Sequence, residues 1–191
     1  MNKDYFFNSS EVISSLAKQS EKLDLMATGI QNCFKSGNKI LLAGNGGSAS
    51  DAQHFAGELT CTYKNPNRIG FPAIPLANNP SSITAWSNDF DVLDFYQRQV
   101  HALGKENDIL FLISTGGGER EKGYSINLIR AADYALKNNI YVYSLVGKSG
   151  GELEKISSIF IKVESDVTSH IQESHITIIH YLCETLENLE V

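Results

Sequence analysis

The chain has 191 residues and a formal net charge of −6, with 42% hydrophobic and 20% charged residues. This composition is typical of a globular domain that can bury a core of its own, and the acidic balance excludes a broad basic surface for nucleic acid. No apolar run approaches the roughly 18 residues of a membrane span, and the first residues lack the apolar segment of a signal peptide. We therefore expect a cytoplasmic protein that binds neither nucleic acid nor membrane.

The three cysteines predict reduced thiols rather than disulfides. Cys33, Cys61 and Cys183 are odd in number, far apart and without a CxxC spacing, which is typical of a reducing compartment. Cys33 and Cys183 also fit the apolar faces of predicted helices.

Apolar residues recur at helical spacing through the first part of the chain and predict a helix over 8–36. Asn8 followed by Glu11 is typical of a helix start. The apolar stripe of this helix needs a partner, and either the chain's own sheet or another subunit could supply it. In the second case the helix serves oligomerisation.

The next stretch combines a strand, a glycine turn and a helix. An apolar run predicts a buried strand over 39–43, a turn follows at 44–47, and Ser48 begins a helix that extends to about 63. Small residues and free N–H groups at a helix start favour an anion site, although a tight turn without a ligand is the alternative. His54 and Glu58 lie four residues apart, so they share one helix face, as a reactive pair or as an exposed surface pair.

The remaining elements alternate between strands and helices. Two prolines in the apolar run 71–76 predict an edge or distorted strand, and the continuous apolar run 108–113 predicts a strand that is buried on both faces. The other predicted elements are helices over 82–87, 92–103, 124–137 and 170–189, a short helix around Leu153, a strand over 140–146 and a central strand over 158–163. The alternation predicts one α/β domain over 1–191 with a doubly wound parallel sheet.

Two features suggest chemistry at one edge of this sheet. Ser114, Thr115 and Gly116 follow the strand 108–113, so a second loop of small residues accompanies the first, and the pair favours a phosphorylated small-molecule ligand. The last helix carries Gln172, His175 and His180, which form either a shared metal or acid–base site with His54 and Glu58, or a polar helix face. His101 and His170 are predicted to be surface residues.

The motifs together resemble the phosphoheptose isomerases of the SIS-domain superfamily. The resemblance rests on GNGGSASDAQHFAGELT at 44–60, Ser87-Asn88-Asp89, Ile113-Ser114-Thr115, and His170-Ile171-Gln172-Glu173 with His175 and His180. It runs through nearly the whole chain. It implies a three-layer αβα sandwich, a homotetramer with sites between subunits, and conversion of sedoheptulose 7-phosphate to D-glycero-D-manno-heptose 7-phosphate. That product supplies nucleotide-activated heptose for lipopolysaccharide or capsule.

The resemblance also implies roles for individual residues. Glu58 matches the catalytic base and His180 the catalytic acid. One zinc ion per subunit would be held by His54, Glu58, Gln172 and His180. The substrate-binding positions are Asn45, Gly46, Gly47, Ser48, Glu58, Asn88, Asp89, Ser114, Thr115, Gly116, Ser125 and Gln172.

The sequence departs from the family pattern in the second loop, where Gly116 replaces a hydroxyl residue and 117–123 lengthen the loop. Ser125, Arg120 or Lys122 could then provide the missing phosphate contact. Thr62 and His170 each stand where the family commonly has arginine.

A rival interpretation is a non-catalytic SIS-domain tetramer that binds a replication initiator or senses a phosphosugar. The retention of His54, Glu58, Gln172 and His180 favours the enzyme, because a scaffold does not need them.

Overall fold

A five-stranded parallel sheet forms the middle layer of the fold in the computed structural model, which describes residues 3–188. The strands are β1 (Ile40–Gly44), β2 (Ala73–Pro75), β3 (Ile109–Ser114), β4 (Tyr141–Gly147) and β5 (Ile159–Val163). Their order is β2-β1-β3-β4-β5, and every neighbouring pair is parallel. The predicted doubly wound sheet is confirmed.

Helices cover both faces of the sheet. They are α1 (Lys3–Ser15), α2 (Ser20–Lys35), α3 (Gly47–Thr60), α4 (Pro80–Asp89), α5 (Phe95–Leu103), α6 (Ile126–Lys137), α7 (Gly151–Ile156) and α8 (Thr168–Asn188). One core packs α2, α3 and α8 on one face, and a second core packs α5, α6 and α7 on the other. This is the three-layer αβα arrangement that the family resemblance implies.

The N-terminal helix differs from the prediction over 8–36. Helix α1 begins at Lys3, and a 3-10 turn at Leu16–Gln19 separates it from α2. Leu16 is buried in this turn, and Gln19 Nε2 donates to Lys162 O over 2.7 Å, so tertiary contacts set the break. Helix α1 packs against α8 of its own chain.

Several other elements differ from their predicted positions or bounds. The strand predicted as central at 158–163 is β5, an edge strand that pairs with β4. The segment 92–103 begins with a 3-10 turn at Val92–Asp94, and Asp91 caps this turn by accepting from Leu93 N. The helix predicted over 82–87 lies within the longer α4. The helix predicted over 170–189 is α8, which begins at Thr168, and residue 189 lies outside the described part of the chain. The edge position predicted for the proline-containing strand is confirmed by β2.

The order of the strands places a crevice between β1 and β3. The chain leaves β1 for β2 on one side and returns to β3 on the other, so the connections diverge at the carboxyl ends of β1 and β3. Open α/β sheets bind ligands at such a switch point. Gly44 and Ile113 pair across it, and both small-residue loops therefore leave the sheet at the same place.

Two of the three cysteines lie in the core. Cys33 and Cys183 are buried as predicted, and burial raises the pKa of each thiol to about 12, which keeps them protonated and unreactive. Within residues 3–188, no helix is long and apolar enough to cross a membrane.

Candidate active site

The first loop turns β1 directly into α3. A Cβ atom on Gly44 would lie 2.5 Å from the carbonyl oxygen of Ser48, so only glycine permits this close turn. Gly46 adopts φ +56°, where side chains are rare. Asn45, Gly46 and Gly47 are exposed while Ser48 is buried. The loop thus presents backbone and one amide side chain to the crevice.

Helix α8 brings Gln172 against the start of α3. A Cβ atom on Gly47 would lie 2.5 Å from Gln172 Nε2, so the glycine leaves room for this side chain. The structure therefore places Gln172 beside the first loop, together with the predicted residues of that loop.

His54, Glu58 and His180 face one another between α3 and α8, further from the loop. His54 Nε2 lies 3.2 Å from Glu58 Oε1, and the side chains are 42% and 25% exposed. The His54 and His180 ring centroids lie 5.3 Å apart, and Tyr63 stacks on His180 at 5.9 Å. An imidazole and a carboxylate are thus accessible at one place, as proton transfer requires. We call His54, Glu58 and His180 the α3–α8 cluster.

The α3–α8 cluster is separated from the first loop along the helices. At 1.5 Å per residue, His54 lies about 10 Å and Glu58 about 16 Å beyond Gly47 along α3. Gln172 and His180 are separated by about 12 Å along α8 by the same measure. Within one chain the predicted substrate and catalytic residues thus form two groups.

The side-chain positions do not assemble the predicted zinc site. Within the described chain, no three His, Cys, Asp or Glu side chains are grouped so that they could hold a metal. His54 and Glu58 contact each other, and Gln172 contacts the first loop. Imidazole and carboxylate are suitable zinc donors, but as placed they do not fit a four-ligand site.

The polar groups of the second loop are used in hydrogen bonds within the loop and with α7. Ser114 Oγ accepts from Gly117 N over 3.1 Å. The carbonyls of Gly118 and Gly117 accept from the N–H groups of Glu152 and Leu153 at the start of α7, over 3.0 and 2.9 Å. The loop therefore satisfies the amino end of α7 with backbone oxygens.

The inserted segment 119–123 forms a small hairpin with paired charges. Glu119 and Tyr124 exchange backbone hydrogen bonds of 2.9 and 3.0 Å. Arg120 donates to both carboxylate oxygens of Asp133, at 2.8 and 2.9 Å, and Lys122 pairs with Glu119 at 3.0 Å. Because both cations already have carboxylate partners, the geometry disfavours them as phosphate ligands.

The other predicted residues of the second loop remain accessible in part. Thr115, Gly116 and Ser125 are half-buried, and a Cβ atom on Gly116 would meet open space. Ser125 directly precedes α6, at φ +51°, and its side chain makes no capping hydrogen bond. Its hydroxyl is therefore available to a ligand.

Asn88 and Asp89 lie at the end of α4. Asn88 Nδ2 donates to Asp89 Oδ1 over 2.8 Å, and both residues are exposed. Helix α4 packs against α5, and the hydrogen bond of this pair lies within the pair itself.

Two of the histidines differ from expectation. His170 was predicted at the surface, but it is buried beside the Tyr5 ring, with centroids 4.9 Å apart, because α1 covers this part of α8. His175 does not lie on a polar face: it is buried, its Nε2 lies 3.2 Å from Val146 O, and burial lowers its pKa to about 4. His101 is exposed as predicted.

The sequence reasoning missed Asn127 and Glu173. Asn127 exchanges two amide hydrogen bonds with Asn45 across the crevice. Glu173 accepts hydrogen bonds from Ser9 and Tyr5 of α1, which lower its pKa. An asparagine at a helix start was the available signal for the first, whereas the second depends on how α1 docks.

Comparison with known proteins assigns the class. A family model described as SIS domain matches residues 4–147. The chain is 39% identical over 189 residues to the phosphoheptose isomerase of Shewanella baltica, covering 97% of this chain and 92% of the relative. It is 38% identical over 187 residues to that of Helicobacter pylori, covering 98% and 94%. The structure of a phosphoheptose isomerase from Francisella tularensis superimposes with a TM-score of 0.90 at 33% identity, covering 97% and 96%.

The sheet, its switch-point loops and the family match therefore define a SIS-domain protein. The near full-length similarity is more specific, and the chain belongs to the phosphoheptose isomerase family of isomerases.

Proposed function

We propose that this isomerase converts sedoheptulose 7-phosphate to D-glycero-D-manno-heptose 7-phosphate in the cytoplasm. The product would supply nucleotide-activated heptose for lipopolysaccharide or capsule. The observation that carries the proposal is the α3–α8 cluster, in which Glu58 lies 3.2 Å from His54 and the His180 ring lies beside His54. The names of the relatives support a phosphoheptose as the substrate class.

The cluster provides the groups that a ketose–aldose isomerisation needs. The Glu58 carboxylate takes a proton from C1 while His180 gives a proton to the C2 oxygen, which yields an enediol. Glu58 then returns its proton to C2, and His180 accepts the proton of the C1 hydroxyl. No net proton is gained or lost. His54 keeps Glu58 oriented through their contact.

The glycine loops would bind the rest of the substrate. Backbone N–H groups at 45–47 suit the phosphate, since a helix start attracts anions, whereas the Ser48 N–H donates to Asn45 O over 3.1 Å. Thr115 and Ser125 are accessible hydroxyls at the same edge. Ser114, Gly116, Gln172, Asn88 and Asp89 remain proposed substrate contacts.

We further propose a homotetramer with sites between subunits. The separation of about 10–16 Å between the first loop and the α3–α8 cluster supports a site that a neighbouring subunit completes. Phe6 and Phe7 of α1 are 73% and 70% exposed and offer apolar surface for such contacts. Light scattering after gel filtration measures the mass directly, and a monomer of 21.0 kDa would contradict this part of the proposal.

We propose that each chain binds one zinc ion through His54, Glu58, Gln172 and His180. To hold one ion, His54 and Glu58 would have to separate, and Gln172 would have to turn from Gly47. Metal analysis of purified protein tests this directly: we expect one zinc per chain, bound less tightly in His54→Ala.

The decisive experiment incubates the purified protein with sedoheptulose 7-phosphate and follows the aldose product by NMR. The reaction is run as purified, with chelator, and with chelator followed by zinc. Product formation supports the proposed reaction. If the chelator abolishes product formation and zinc restores it, the result supports zinc binding. A folded protein that forms no product, yet captures a replication initiator or binds a phosphosugar unchanged, would replace the enzyme with the scaffold or sensor.

A further inference from the structure

An amide pair spans the crevice between the two loops. Asn45 follows β1, and Asn127 lies in the first turn of α6, after the loop that follows β3. Asn45 Nδ2 donates to Asn127 Oδ1 over 3.0 Å, and Asn127 Nδ2 donates to Asn45 Oδ1 over 2.8 Å. Two reciprocal bonds fix both the distance and the mutual orientation of the amides.

The backbone of α6 determines which way this pair faces. Leu128 N donates to Asn127 Oδ1 over 3.0 Å. Leu128 N also donates to Ser125 O over 3.1 Å. A flipped Asn127 would place its NH₂ group against this N–H donor, so the helix favours the orientation with Oδ1 toward Leu128 N. Asn45 must then turn its Nδ2 toward Asn127 Oδ1. The orientation of the Asn45 amide is therefore set by α6, through Asn127.

The paired Asn45 retains hydrogen-bonding capacity for a ligand. Each pair member uses one of its two N–H groups in the pair, and Asn45 Oδ1 keeps a second lone pair. Asn45 is exposed, so without Asn127 its side chain would sample several rotamers in water. Fixing a side chain before binding lowers the entropy lost on association. The pair thus holds one N–H donor and one oxygen acceptor of Asn45 in fixed positions at the switch point.

We propose that Asn127 is a positioning residue of this isomerase, which holds the Asn45 amide in the orientation that binds the sugar phosphate. The inference rests on the proposed function, because it assigns Asn45 to substrate binding. Asn127 acts through Asn45 and not on the reacting carbons, so its loss affects binding more than the chemical step.

The test is a double-mutant cycle with Asn127→Ser and Asn45→Ala. Serine keeps a hydroxyl at the helix start but is too short to reach Asn45, whereas Asn45→Ala removes the pair and leaves α6 unchanged. Two neutral hydrogen bonds predict an increase in KM of about tenfold for Asn127→Ser, with kcat within about threefold. The double variant should have the KM of Asn45→Ala, because Asn127 has nothing left to orient.

Asn138→Ser is the matched control, since Asn138 lies at the other end of α6 and donates to Tyr134 O. We expect its KM to equal that of the wild type. Crystal structures of wild type and Asn127→Ser give a readout independent of turnover: one Asn45 rotamer in the first and several in the second.

The outcomes separate the two proposals. If the wild type forms no heptose phosphate but Asn45 loses its single rotamer in Asn127→Ser, the proposed reaction is wrong and the positioning of Asn45 stands. If the wild type is active and Asn127→Ser leaves KM unchanged, or if the two substitutions are additive, the positioning role is wrong and the reaction stands.

Discussion

The two loops at the switch point follow neighbouring strands and consist of similar small residues. They differ in the hydrogen bonds that their polar groups make. Asn45, Gly46 and Gly47 are exposed, and the one side chain among them crosses the crevice. In the second loop, Gly117 and Gly118 are buried, and their carbonyls accept N–H groups of α7. Glycine in a loop therefore does not by itself indicate ligand binding. The first loop is open to a ligand, whereas much of the second loop stabilises the fold by holding the start of α7.

The largest difference is expected when alanine replaces Gly117. A Cβ atom there would lie 1.8 Å from Gly150 O at φ +69°, so strain and overlap should destabilise the fold by about 3 kcal/mol. Gly116→Ala is the matched control, because its Cβ meets open space. Urea unfolding of both variants measures the difference in stability. Equal midpoints would show that the packing of the second loop does not stabilise the fold.

Protonation of His175 should destabilise the fold at low pH. This effect would mask the difference in stability between the loop variants there. Burial lowers the pKa of His175 from 6.5 to about 4. The unfolded chain therefore binds a proton that the folded chain excludes, and stability is lost as the pH falls through this window, by about 3 kcal/mol in total. Unfolding free energies of wild type and His175→Gln between these pH values test this. A slope that is equal in both proteins would exclude His175 as the cause.

Gly47→Ala probes the open loop. Its Cβ would lie 2.5 Å from Gln172 Nε2, and the flexible side chain can move, so we expect little loss of stability but a decrease in kcat/KM of about tenfold. Gly57→Ala, in the same helix with open space at its Cβ, should raise stability by about 0.5–1 kcal/mol. Unchanged kcat/KM in Gly47→Ala would indicate that Gln172 does not contact the substrate.

Gly116→Ser should have the smallest effect. It adds a hydroxyl at a half-buried position with open space, so stability should change by less than about 0.5 kcal/mol. One added hydrogen bond predicts a KM about threefold lower. An increase in KM would show that the sugar phosphate approaches Gly116 closely and needs glycine there.

The layers and most elements of the fold were predictable from the sequence, because periodicity and turn residues are local signals. Buried runs such as the one that became β3 predicted strands, and the proline-containing run predicted the edge strand. The break at Leu16–Gln19 and the burial of His170 were missed because contacts between distant elements cause them. The order of strands, which makes β5 an edge, also depends on tertiary packing.

The candidate site was predictable in residue type and only partly in arrangement. The spacing of His54 and Glu58 predicted that they share a helix face, and the last helix offered His180 as a possible partner, whose ring lies beside His54. The resemblance assigned the roles of base and acid. The Asn45–Asn127 pair was missed because it joins residues 82 positions apart. The charges of the inserted segment were visible, but their pairing with Asp133 and Glu119 was not.

The most direct test of the central claim is kcat for Glu58→Gln with sedoheptulose 7-phosphate. Glutamine can keep the contact with His54 but cannot accept a proton from carbon, so kcat should fall on the order of 10³-fold while KM stays within about threefold. Glu184→Gln is the control, because Glu184 is an exposed α8 carboxylate paired with Lys64, and it should retain full activity. Unchanged turnover in Glu58→Gln would contradict the assignment of the chemistry to the α3–α8 cluster.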